Sequence, residues 1–79
     1  MDKNVEIGLL LDFYSKFLTD RQNEIMELYY EENLSFTEIA ENLDISKQAV
    51  SDAIKRSEKV LYDMEEKLGL LKQYTDKGE

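Results

Sequence analysis

Residues 35–56, SFTEIAENLDISKQAVSDAIKR, permit very few folds. Ser35 offers a hydroxyl to the start of a helix, and Glu38, three residues on, can reach back to the Ser35 amide; together they form a capping box. Phe36, Ile39, Ala40 and Leu43 then recur at helical spacing. The helix, expected over 36–42, is short. Asp44 is its natural stop, because Asp tolerates a left-handed backbone better than most residues with a Cβ. Ser46 caps a second helix that buries Val50, Ala53 and Ile54. Two capped helices joined by so short a turn must cross sharply. The small Ala40 suits the crossing, and the pattern is that of a helix-turn-helix.

The flanks add helices to this unit. Apolar residues at 7, 10, 11, 14, 17 and 18 place one helix over about 5–18. Thr19 and Gln22 make a further capping box, opening a helix over about 20–32 that turns Ile25, Leu28 and Tyr29 inward. Asn33 is its left-handed stop. Tyr14, Tyr29 and Tyr30 could stack bases, but at this spacing they read as core or core-edge residues. The absence of Pro and the presence of only three Gly in 79 residues agree with an all-α chain. The expectation is a single domain over 1–79, a small helical bundle with a long C-terminal helix, frayed over 75–79.

Beyond Val50 the apolar positions settle into alternating steps of four and three: Val50, Ile54, Ser57, Leu61, Met64, Leu68 and Leu71. Two readings of this seam stay open. It could pair two copies of the chain through Leu61, Met64, Leu68 and Leu71, or it could cover the apolar face of the first helix. Gly69 could also end the helix and fold Leu70 and Leu71 back.

The chain has no His and no Cys, which excludes ordinary zinc sites, His acid–base chemistry and disulfides. There is no nucleophile–base pair, phosphate-cradling Gly loop or dinucleotide fingerprint. No catalytic residue, metal site or cofactor is assigned; Glu31-Glu32 and Glu65-Glu66 read as solvated charge. The opening Met1-Asp2-Lys3-Asn4 lacks the basic start of a signal peptide, and the longest apolar run, residues 7–11, is too short to span a bilayer. The expected setting is the cytoplasm, away from membranes.

The outward face of the second motif helix carries Gln48, Ser51, Asp52, Lys55 and Lys59, with Lys47 and Arg56 at its sides. Gln can pair with adenine in a major groove, and Lys or Arg with guanine or phosphate. Ser35 and Thr37, at the start of the preceding helix, would lie near the nucleic-acid backbone. Asp52 opposes phosphate but could accept from a cytosine amine. The formal net charge is -8, yet it is unevenly spread. Residues 1–45 hold 3 basic and 11 acidic side chains, whereas residues 46–79 hold 7 of each. The reading helix is thus locally basic on an acidic body. Glu24, Glu27, Glu31, Glu32, Glu38 and Glu41 either keep that body soluble or dock a basic protein.

LTDRQNEIMELYYEENLSFTEIAENLDISKQAVSDAIKR, residues 18–56, resembles the DNA-binding region 4 of bacterial sigma factors and its LuxR-type relatives. The whole chain, from LLLDFYSKFLTDRQ through EKLGLL, is similar to the small YlxM family. That resemblance implies a sigma-region-4-like fold and a helix-turn-helix regulator. Genes of the family tend to sit beside that of the signal recognition particle GTPase. The implied ligands are therefore DNA or signal recognition particle RNA, with signal recognition particle proteins as further partners. A protein-interaction module that keeps the fold without binding duplex DNA is the alternative.

Overall fold

A computed structural model describes residues 1–76, and its described residues form five α-helices joined by short connections. The helices are α1 (Lys3–Tyr14), α2 (Asp20–Tyr30), α3 (Phe36–Leu43), α4 (Lys47–Leu68) and α5 (Leu70–Asp76), with a 3-10 turn over Ser15–Phe17 after α1. The all-α expectation holds, and the boundaries differ in instructive ways. Asp2 accepts from the Asn4 amide at 3.1 Å and starts α1 two residues earlier than its apolar pattern. The helix then tightens at Ser15, and Leu18 is extended, which brings Thr19 into position to cap α2. Both halves of the Thr19–Gln22 box are formed, at 2.9 and 3.1 Å. α2 ends at Tyr30, short of Glu32, and Asn33 takes the left-handed backbone at φ 59°.

α4 is the axis on which the other helices pack. Val50, Ile54, Ser57 and Leu61 form its fully or nearly buried stripe. Against it lie Ile7, Leu10, Leu11 and Tyr14 from α1, Ile25 and Met26 from α2, and Ile39 and Ala40 from α3. Ser57 is the buried polar residue of the stripe. Its hydroxyl donates to the Ala53 carbonyl at 2.7 Å, so the small side chain permits close packing without an orphaned donor.

Gly69 adopts φ 63° and ends α4, and α5 folds back onto α1. The seam is therefore consumed within the chain. Leu61 is wholly buried in α4, while Leu71 reaches the same core from α5 at 7% exposure. Met64 is half-buried, and Leu68 alone of the four stands exposed, at 46%. Of the four residues expected to pair two copies, Leu61 and Leu71 are interior, because α1 needs that cover and the left-handed glycine breaks the seam, while Met64 and Leu68 keep exposed surface. Thr75 and Asp76, expected to fray, are helical; residues 77–79 of that expectation lie outside the described residues.

The reversal at Gly69 is held by one acid and one phenol. The Tyr14 hydroxyl donates to Glu65 Oε1 at 2.7 Å and accepts from the Leu70 amide at 3.0 Å. Glu65 also accepts from the amides of Leu71 and Lys72, at 3.0 and 3.1 Å. The first three amides of α5, which no intrahelical carbonyl can satisfy, thus find partners in α1 and α4. Burial would raise the Glu65 carboxyl, but the Tyr14 hydroxyl, the two amides and the Lys72 charge outweigh it and hold the group below the usual carboxylate range. A carboxyl lowered on folding stabilises the fold above its unfolded-state value and loses that contribution as pH falls through the folded one. Glu65→Gln should accordingly cost about 1–3 kcal/mol at neutral pH, and the gap to the parent should narrow below about pH 4. Urea unfolding at pH 7 and pH 3 measures both.

Candidate nucleic-acid interface

The motif forms as the spacing requires. The Ser35 hydroxyl accepts from the Glu38 amide at 3.1 Å, and Glu38 Oε1 accepts from the Ser35 amide at 2.9 Å. α3 closes with the Ile45 amide donating to the Ala40 carbonyl at 3.0 Å and Asp44 in the left-handed region at φ 57°. The Ser46 hydroxyl then accepts from the Ala49 amide at 3.0 Å and starts α4. Ile39 and Ala40 are buried against the α4 stripe, which fixes how the two helices cross.

The nine residues expected at the interface fall into four groups. Lys47, Lys55 and Arg56 are exposed on the N-terminal half of α4, and none forms an ion pair among the described residues. Gln48, Asp52 and Lys59 are exposed but already engaged. Gln48 Nε2 donates to Asp52 Oδ1 at 2.9 Å, and Lys59 Nζ meets Asp63 Oδ2 at 3.1 Å, each one helical turn on. Asp52 therefore orients Gln48, and Lys59 contributes less positive potential than its formal charge. Ser51 is half-buried at the edge of the face. Ser35 and Thr37 are exposed at the start of α3, though the Ser35 hydroxyl is occupied by its cap.

Side chains distant in sequence complete the flanks. Arg56 lies in a shallow cleft with Gln22, Ala49, Asp52 and Ala53. On the other flank Lys55 and Ser51 share a cleft with Lys3, Tyr29, Tyr30 and Phe36. Glu58 organises this second flank. It accepts from the Tyr30 hydroxyl and pairs with Lys3 Nζ at 3.3 Å, tying α1 and α2 to α4. Burial, and next the hydrogen bond to Glu58, push the Tyr30 phenol well above its ordinary range. Tyr62 donates to Glu6 Oε1 at 2.6 Å, and burial with that carboxylate raises its phenol to about 12. The sequence carries no local signal for these pairs, since Tyr30 and Glu58 are 28 positions apart. Tyr29 and Tyr30, expected at the core edge, are half-buried there. Among the described residues no cluster of carboxylates converges on a metal position, and no helix is long and apolar enough to cross a membrane.

Comparison with known proteins agrees with the motif. Residues 1–79 match the family model UPF0122, described as "Putative helix-turn-helix protein, YlxM / p13 like". The chain belongs to the UPF0122 family. A UPF0122 protein of Halalkalibacterium halodurans is 46% identical over 79 residues, which are the whole chain and 72% of that relative. One from Acetivibrio thermocellus is 54% identical over 74 residues, covering 94% of this chain and 63% of the relative. One from Desulforamulus reducens is 47% identical over 73 residues, 92% of this chain and 62% of the relative. The chain thus spans roughly two thirds of the length of these curated UPF0122 relatives.

The crossing of α3 and α4 rests on the left-handed backbone at Asp44. Asp44→Val should cost about 1–2 kcal/mol, because a branched Cβ crowds the carbonyl there, while Asp44→Gly should melt at or above the parent temperature. Thermal melts followed by circular dichroism distinguish the two.

Proposed function

We propose that the N-terminal half of α4 contacts nucleic acid, and that the chain is a helix-turn-helix regulator. The observation that carries this reading is the set of three cations, Lys47, Lys55 and Arg56, without an ion pair among the described residues, on the exposed side of the motif's second helix in a chain of net charge -8. Lys55 and Arg56 would contact phosphate from the two flanks of α4, and Lys47 would add a third cation at its start. Gln48, Ser51 and Asp52 would face base edges or loop nucleotides between them. Ser35 and Thr37 would approach the backbone from α3, and Lys59 would contribute once Asp63 releases it.

The resemblance to YlxM proteins supports a setting in the signal recognition particle pathway and in the cytoplasm. The ligand there is signal recognition particle RNA, with duplex DNA as the other candidate and signal recognition particle proteins as further partners. An A-form duplex has a major groove too narrow for a helix, so an RNA ligand would be met at its backbone and its loops. The competing reading is a protein-interaction module that retains the fold and has lost the duplex. Asp52 in the middle of the face and the acidic body favour it.

Fluorescence anisotropy against a generic DNA duplex and against signal recognition particle RNA tests the choice. Binding should weaken as salt rises from about 50 to about 200 mM, since each neutralised phosphate releases counterions. Replacing Lys55 and Arg56 together by Ala should lower the logarithmic salt slope by about 1.8 on a duplex. Equal binding by parent and double variant would remove these residues from the interface. Absence of binding to either probe at the lower salt would leave the protein-interaction reading.

A further inference from the structure

The cleft on the Lys55 flank of α4 has a composition that the proposed duplex contacts do not use. Its apolar lining is Tyr29, Tyr30 and Phe36, all half-buried rather than sealed in the core, with the buried Ile54 beneath them. The rings of Tyr29 and Tyr30 meet edge-on, with centroids 4.9 Å apart at 89°. Those of Tyr29 and Phe36 are tilted by 49° at 5.1 Å. Neither pair forms a parallel stack, so each contact covers at most one face of one ring. The Tyr30 hydroxyl is anchored on Glu58, which fixes that ring before any ligand arrives. Lys55 stands at the rim without an ion pair among the described residues, and Lys3, although paired with Glu58, keeps 62% of its side chain exposed.

Half-buried aromatic rings lining a cleft beside cations suit a strand whose bases are free to leave the stack, because every base has a π-face and every linkage a phosphate. A base held in a duplex cannot enter a side cleft without unpairing. We propose that the Tyr29–Tyr30–Phe36 cleft stacks an unpaired nucleobase, while Lys55 holds a neighbouring phosphate. The ligand class at this site is a single-stranded segment, in DNA or in an RNA loop. The inference rests on the α4 nucleic-acid reading and narrows it: the same Lys55 would serve duplex phosphate and single strand, whereas the aromatics would serve the single strand alone.

The test uses short single-stranded DNA and RNA probes with one central 2-aminopurine, the DNA probe also annealed to its complement. Stacking on a ring quenches 2-aminopurine, so the parent should quench both single strands and leave the duplex unchanged. Tyr29→Leu should weaken single-strand binding on the order of tenfold and abolish the quench, with the salt slope intact. Lys55→Ala should lower the single-strand slope by about 0.7 and keep the quench at saturation. Tyr29→Phe, which keeps the ring, should bind as the parent does, and it separates lost stacking from lost folding. Single strands bound without quench, or bound equally by Tyr29→Leu, would overturn the cleft assignment while the α4 reading stands. Duplex bound in preference to single strand would do the same, and no salt-dependent binding to any probe would overturn both. Preference between the DNA and RNA strands identifies the source of the base.

Discussion

Burial of one stripe on α4 is the constraint to which the rest of the structure answers. Val50, Ile54, Ser57 and Leu61 lie on a single face, and α1, α2 and α3 each place their own apolar residues against it. A chain of this size buries a modest fraction of its unfolded surface, so a single shared stripe must serve every helix. That explains why Leu61 and Leu71 of the C-terminal seam are buried inside the chain. It also explains the small residues at the contacts, Ala40 on α3 and Ser57 on α4, where bulk would push the helices apart. One long helix thus carries two tasks. Its N-terminal half presents charge to solvent on the side away from the stripe, and its C-terminal half anchors α1 and α5.

Polar groups at the core edge complete this arrangement. Three tyrosine–glutamate pairs, Tyr14–Glu65, Tyr30–Glu58 and Tyr62–Glu6, each join α4 to α1 or α2. Each lets an aromatic ring contribute apolar area while its hydroxyl finds an acceptor. The Tyr14–Glu65 pair does more, because the amides opening α5 also end on it. An acid-rich chain thus uses two of its α4 carboxylates, Glu58 and Glu65, as structural acceptors. Most of the chain's acids, 11 of 18, lie in residues 1–45, although Asp52 stands among the cations on the N-terminal half of α4.

Local features were largely legible in the residue order. The capping boxes at Thr19 and Ser35, the left-handed stops at Asn33 and Asp44, and the cap at Ser46 are short-range hydrogen-bond and backbone effects, and each formed where its residues stand. The exposed positions of Lys47, Gln48, Asp52, Lys55 and Arg56 followed from helical periodicity alone. The start of α1 was missed because Asp2 precedes the apolar pattern, and its end because the pattern continues through a 3-10 turn at nearly the same spacing. The seam remained ambiguous, since a heptad spacing reads alike whether its partner is another chain or α1.

The sequence by itself determined the helices, the sharp turn between α3 and α4, and the concentration of acid in the first 45 residues, because caps, stops and charge act over a few positions. Tertiary structure alone decided that the seam turns inward and that Glu65 and Tyr14 receive the start of α5. It alone placed Lys3, Tyr29, Tyr30 and Phe36 beside Lys55. These depend on which surfaces meet when the α4 stripe is buried, and contacts separated by 28 to 56 positions leave no local pattern to read.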